Sequence, residues 1–125
     1  MKSAELVVPE RLPTYWKAKV ALSDAPRPQL FWAYTQSLGL KDVRFQCEKK
    51  LRARQSIRLI VQAIHNGQRQ QLQLQGQVSS VVLLSCGTLY GIEMTLSHTR
   101  HEDQEFIWRY LNERQNMKLS YSHYA

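Results

Sequence analysis

Two cysteines, Cys47 and Cys86, are all that this 125-residue chain contains. Neither has a second cysteine near it, which excludes a disulfide framework and a cysteine-based zinc motif, and both fall inside apparent strands. The four prolines mark only two places: Pro9 and Pro13 an arm, Pro26 and Pro28 a turn. No apolar run approaches the roughly 18 residues of a membrane-spanning helix. The opening Met1-Lys2-Ser3-Ala4-Glu5-Leu6 lacks the apolar core of a signal peptide, so a reducing, cytoplasmic setting is expected. Acidic residues are scarce: ten against seventeen Lys and Arg, a formal charge of +7. That balance favours an anionic partner, which can be a nucleotide, a nucleic acid, a membrane surface or an acidic protein surface. No Gly-x-Ser-x-Gly nucleophile motif occurs. His98 and His101 have no third ligand at a metal-binding spacing. The chain therefore reads as neither an enzyme nor a metalloprotein, and no cofactor is expected.

What is present is alternation. Gln70 to Val78 places Leu72, Leu74 and Val78 on one face and Gln71, Gln73, Gln75 and Gln77 on the other, the pattern of a half-buried antiparallel strand. Val81-Val82-Leu83-Leu84 follows as a fully apolar run, Gly87 breaks it, and Leu89 to Leu96 returns. This is a long hairpin forming one wall of a barrel or sandwich. With 43% apolar residues the chain suffices for one domain with a real core. The predicted organisation is an arm over 1–14, a barrel domain with a closing helix over 15–116, and a frayed tail over 117–125.

Upstream of that wall, Trp16–Leu22, Leu30–Leu38, Val43–Cys47 and Ile57–Ile64 are predicted strands. Ser23-Asp24-Ala25-Pro26-Arg27-Pro28 is a turn cluster, because proline fixes φ and cannot donate to a ladder. Asn66-Gly67 signals a tight hairpin, since both residues tolerate positive φ. Phe31 and Trp32 are adjacent on a strand and must face opposite ways, so one of them is expected outside the core. After Leu96 the period changes. Phe106, Ile107, Tyr110 and Leu111 recur at helical spacing and predict a helix over about 100–116 whose apolar stripe covers an open barrel end. Thr99 and Glu102 fit a capping box at its start.

Six short strands and a closing helix resemble the PilZ domain, the bacterial receptor module for cyclic di-GMP, over roughly residues 9–112. The stretch Leu51-Arg52-Ala53-Arg54-Gln55-Ser56-Ile57-Arg58-Leu59 is similar to the family's entry into its central strand, with Arg54 where the family usually has Gly. Gly76-Gln77-Val78 and Tyr90-Gly91-Ile92-Glu93-Met94 are similar to its later hairpin, and Phe106–Leu111 to its terminal helix. The resemblance implies a six-stranded antiparallel β-barrel with a C-terminal α-helix. It also implies ligand motifs: an Arg-x-x-x-Arg arm before strand one and an Asp/Asn-x-Ser-x-x-Gly turn after strand two. Guanidinium groups of such an arm grip phosphate and stack on guanine.

This chain departs from both motifs. Arg11 is alone in the arm, with Val7 four residues before it and Tyr15 four after. Thr35-Gln36-Ser37-Leu38-Gly39-Leu40 keeps the Ser, puts Thr35 at the acid or amide and Leu40 at the Gly, and Lys41 and Asp42 are inserted beyond it. Arg11, Lys17, Thr35, Ser37, Gly39 and Arg44 are thus the candidate nucleotide-binding residues of an eroded site. Trp32 with the basic loop Lys49, Lys50, Arg52 and Arg54 is the candidate partner surface. The resemblance implies a standalone signalling adaptor that contacts a protein partner in bacterial surface behaviour, with weak or lost cyclic di-GMP binding. The alternatives are a cyclic di-GMP receptor with a non-standard site and, less favoured, a basic barrel that binds nucleic acid.

Overall fold

The computed structural model describes residues 11–22, 29–84 and 86–124, with side chains as far as Arg114. The arm up to residue 10, the proline turn at 23–28 and the last residue of the predicted tail lie outside the described residues. Seven strands and one helix follow in order: β1 Arg11–Pro13, β2 Lys17–Leu22, β3 Gln29–Gly39, β4 Asp42–Cys47, β5 Ser56–His65, β6 Gln68–Leu83, β7 Tyr90–Thr99 and α1 His101–Tyr124. All pairings are antiparallel. They run β3-β2-β5-β6-β7-β4 and close with a β3–β4 pairing, so six strands form the predicted ring. The seventh, β1, is the part of the predicted arm nearest the barrel. It lies on β3 beyond the end of β2, with Arg11 opposite Gly39 and Pro13 opposite Ser37.

Alternation places the core as the pleat requires. Leu72, Leu74 and Val78 on β6 face Leu59, Val61, Ile92 and Met94 inside the ring, all essentially inaccessible. Asn66 and Gly67 both take positive φ, +53° and +76°, and make the tight β5–β6 turn. Gly76 sits at a bulge between β6 and β7, where a Cβ would stand 2.0 Å from the carbonyl oxygen of Thr95. Phe106, Ile107, Tyr110 and Leu111 of α1 are buried. Trp16 meets Phe106 and Tyr110 edge-on, with centroids 6.3 and 5.0 Å apart, and the Tyr110 hydroxyl donates to the Pro13 carbonyl at 3.0 Å. Past that contact Glu113 accepts from Asn66 at 2.9 Å and meets His65 Nε2 at 2.6 Å, tying the helix to the hairpin tip.

Four local expectations change. Thr99 and Glu102 form no capping box among the described residues. Thr99 is still in β7, opposite Leu74, and the helix begins two residues later. Asp103 takes over the anchoring role. Its carboxylate is fully buried, receives Arg100 Nε at 2.9 Å and Nη2 at 3.1 Å, and accepts from the backbone N–H of Gln73 at 3.0 Å. One carboxylate near the positive end of the helix dipole thereby joins α1 to β6. The apolar run at β6's end is not buried throughout: Val82 and Leu83 are more than half exposed, where β6 has run past its last β5 pair, Gln77 with Ser56, and is flanked by β7 alone. Cys86 lies in the β6–β7 turn, exposed, and not in a strand. The helix also continues to Tyr124, past the residue 116 at which the apolar spacing stops.

Three outcomes follow. Gly76→Ala should lower stability by about 3 kcal/mol or more, since the clash is with backbone and cannot be relieved by a rotamer; urea unfolding measures it. Asp103→Ala should cost about 2–3 kcal/mol, because it strands a buried backbone donor and a guanidinium. In the native protein a thiol reagent should modify Cys86 rapidly, because hydrogen bonds from the Thr88 backbone and hydroxyl lower its pKa. Cys47, whose burial pushes the thiol pKa up, should react only when the chain unfolds.

Candidate functional site

The register gathers four of the six residues predicted for nucleotide binding. β1 and β4 flank the far end of β3, with Arg11 opposite Gly39 on one side and Ser37 opposite Arg44 on the other. A bulge between Thr35 and Ser37 shifts the pleat, so inward positions are Ala33 and Thr35 before it and Leu38 after it. Thr35 therefore points into the barrel, fully buried. Its hydroxyl oxygen accepts from the Thr14 hydroxyl at 2.7 Å and from the Trp16 N–H at 2.9 Å, closing the gap between β1 and β2. The Ser37 hydroxyl is buried and has no hydrogen-bond partner among the described residues.

The charges at this end are already matched. Arg11 Nη2 lies 3.3 Å from Asp42 Oδ2 and its Nη1 lies 3.5 Å from Glu93 Oε2, while Arg44 Nε lies 3.7 Å from the same Glu93 oxygen. Two guanidiniums and two carboxylates sum to zero. Asp42 is one of the two residues inserted after the turn, and Glu93 belongs to the Gly-Ile-Glu run of β7. A phosphate beside Arg11 or Arg44 would also lie beside the carboxylates of Asp42 and Glu93, and like charges oppose it. The adjoining depression, lined by Gln36, Arg44, Ser80, Val82 and Glu93, holds about 260 Å³. That is below the roughly 300–1,000 Å³ usual for small-molecule clefts.

Lys17 belongs to a different cluster. It stands opposite Tyr34, and its Nζ lies 5.7 Å from the Trp32 ring centroid; Lys19 Nζ lies 4.9 Å from the same ring. Tyr15 stacks on Tyr34 at 5.2 Å with the rings 13° apart. Trp32 remains 57% exposed whereas Phe31 packs against the core, so the outward member of the predicted pair is Trp32. Cation–π contacts of this exposed kind contribute about 0.5–1 kcal/mol and hold the lysines over the indole.

A groove of about 650 Å³ runs beside this cluster. It is lined by Leu30, Phe31, Trp32 and Tyr34 on one side and by Gln46, Cys47, Glu48 and Lys49 on the other. It exists because β3 and β4 pair only from Tyr34–Gln46 to Leu38–Val43, and part beyond. Lys49 spans the gap: its ammonium donates to Gln29 Oε1 and lies 5.5 Å from the Phe31 centroid. Trp32 and Lys49, both predicted for partner contact but not placed together by sequence, thus line one groove. Lys50, Arg52 and Arg54 are exposed on the loop beyond it, which is pinned by buried Leu51 and by the Arg54 N–H donating to the Val78 carbonyl at 2.7 Å. Arg54 has φ of +69°, which is the backbone reason for glycine at this point in the PilZ pattern. Elsewhere, His98 lies on β7 and His101 pairs with Glu105 at 2.8 Å. Among the described residues no cluster of three metal-binding side chains forms and no helix is long and apolar enough to cross a membrane.

No protein-family model and no curated protein sequence matches the chain. Solved structures do. The Bacillus subtilis inhibitor of motility, MotI/DgrA, superposes with a TM-score of 0.73 at 14% identity, over 86% of this chain and 50% of that one. MrkH of K. pneumonia gives 0.59 at 10% identity, over 90% of this chain and 48% of that one. The PilZ domain of CeSA from a cellulose-synthesizing bacterium gives 0.54 at 11% identity, over 86% of this chain and 99% of that domain. The chain thus spans about half the length of MotI/DgrA and of MrkH. At these identities the likeness is one of architecture: the antiparallel ring with its C-terminal helix is a PilZ-like fold.

Proposed function

We propose that the chain is a PilZ-type bacterial signalling adaptor that acts by contact with a protein partner in the cytoplasm, and that its grip on cyclic di-GMP is weak or lost. The observation that carries this reading is the occupation of Arg11 and Arg44 by Asp42 and Glu93. The Val7 and Tyr15 positions either side of Arg11 supply no second guanidinium, and Leu40 stands where the family turn has Gly. The exposed aromatic and basic groove at the other end of β3 supports contact as the working mode, since large exposed apolar side chains mark interaction surfaces. The structural neighbour named an inhibitor of motility supports a setting in bacterial surface behaviour: motility, pilus assembly or matrix production.

A second reading keeps cyclic di-GMP as a regulatory ligand at a non-standard site. Its support is that Arg11, Ser37, Gly39 and Arg44 do converge, with the Ser37 hydroxyl unpartnered.

One titration decides between them. Calorimetry with cyclic di-GMP should give no saturable heat at about 100 μM, and micromolar binding would establish the second reading. Asp42→Asn combined with Glu93→Gln should strengthen nucleotide binding at least tenfold. Each released charge-assisted bond contributes about 1.5–3 kcal/mol, and tenfold requires about 1.4. Capture of a defined partner from the native cell should be the same with and without cyclic di-GMP.

A further inference from the structure

We propose that the open edge of β3 between Gln29 and Ala33 binds an extended acidic segment of the partner protein, strand on strand; the proposal rests on the adaptor reading and names the surface and the chemistry. The backbone carries the argument. The Thr35 N–H donates to the Trp16 carbonyl at 2.9 Å, so its peptide groups face the β1–β2 side of β3. Peptide groups alternate along a strand, which turns those of Ala33 and Phe31 toward β2 and those of Leu30 and Trp32 toward the opposite edge. On that edge β4 pairs only as far as Tyr34, opposite Gln46; Cys47, the last residue of β4, keeps its β7 partner Tyr90 and has no partner on β3. Among the described residues, the N–H and C=O groups of Leu30 and Trp32 therefore have no strand partner.

An unpaired edge is a template for a further strand, and chains commonly disable theirs with charge, proline or a cover. The ordinary alternative is an edge left to water. This edge differs in lying along a groove of about 650 Å³ with apolar walls, including Leu30, Phe31, Trp32 and Leu89. Leu30 is 62% and Trp32 57% exposed there, although water is a poor partner for both. Added strands gain affinity from main-chain bonds and specificity from pockets for alternate side chains.

The surroundings specify those side chains. One set of an incoming strand would face Phe31 and Leu89 and must be apolar. The other would lie on the Trp32 face, over which Lys17 and Lys19 are held, while Lys49 stands at the end of the groove against Phe31 and Gln29; among the described residues Glu48 is the single acid lining it. The matching occupant alternates apolar and acidic residues over the five positions 29–33 and contains no proline where it pairs.

The test uses the whole chain and a fluorescein-labelled eight-residue peptide of alternating Val and Glu, read by anisotropy. Saturable binding is expected. The same peptide N-methylated at alternate residues cannot pair as a strand and should bind at least tenfold more weakly, with the protein untouched. Lys19→Glu with Lys49→Glu should also weaken binding at least tenfold, as should Leu30→Pro, which removes one edge donor and whose folding circular dichroism verifies. Absence of binding at about 1 mM overturns the proposal. So does equal affinity for the N-methylated peptide, or for eight glutamates, which would mean charge alone. The adaptor reading is judged separately: a native partner still captured by the Leu30→Pro and charge-reversed variants sinks the edge proposal and leaves the adaptor standing, whereas a wild-type chain that captures no defined partner sinks the adaptor.

Discussion

Everything distinctive about this molecule depends on how β3 divides its two edges. Its eleven residues carry β2 and then β1 along one edge, and β4 along only part of the other. The ring needs the β3–β4 pairing to close, and that pairing uses the far half of β3. The near half is left with one partner. A bulge at the boundary resets which side chains point inward, so Thr35 enters the core while Ser37 returns to the outer layer. The ion-paired Arg11–Arg44 cluster and the open groove are therefore at two ends of one strand, on either side of one extra residue.

Their electrostatics are opposite. At the β1 end, partly buried Arg11 is balanced by Asp42 and Glu93, and the pairs lie far enough from bulk water to be screened less than surface pairs. At the groove end, three lysines lie on aromatic faces and no carboxylate pairs with them among the described contacts. A chain with a net charge of +7 thus presents little net charge around Arg11 and Arg44, and a concentrated positive field beside exposed aromatic rings. Contact with an acidic protein surface fits that distribution better than phosphate recognition does.

The ring was legible in the sequence because each strand alternates and only one face can be buried. Asn66-Gly67 announced its turn through backbone tolerance, and Phe106 to Leu111 announced the helix through spacing. What was hidden depends on relations between distant residues. Asp103 reads as one more acid in a first helical turn, and nothing local says that Gln73 lies above it. The Thr99–Glu102 pattern was correct as a motif, but the strand outlasted it by pairing Thr99 with Leu74. The groove was invisible for the same reason: it is a place where two strands part, and no single stretch records that. Arg11 and Arg44 were found as cations, whereas their neutralisation required Asp42 and Glu93 to arrive from two other strands.

Arg54 holds a left-handed backbone conformation, which costs a residue with a side chain roughly 1–2 kcal/mol. Buried Leu51 ties the corner that Arg54 occupies to the core, and a pair of backbone bonds at Val78 ties it to β6. The surrounding contacts, not the residue's own preference, impose this conformation, so the strain is carried by the loop that also bears Lys49. Lys49 bridges to Gln29 from the same loop, so the backbone that imposes the Arg54 conformation also fixes where one end of the groove is spanned.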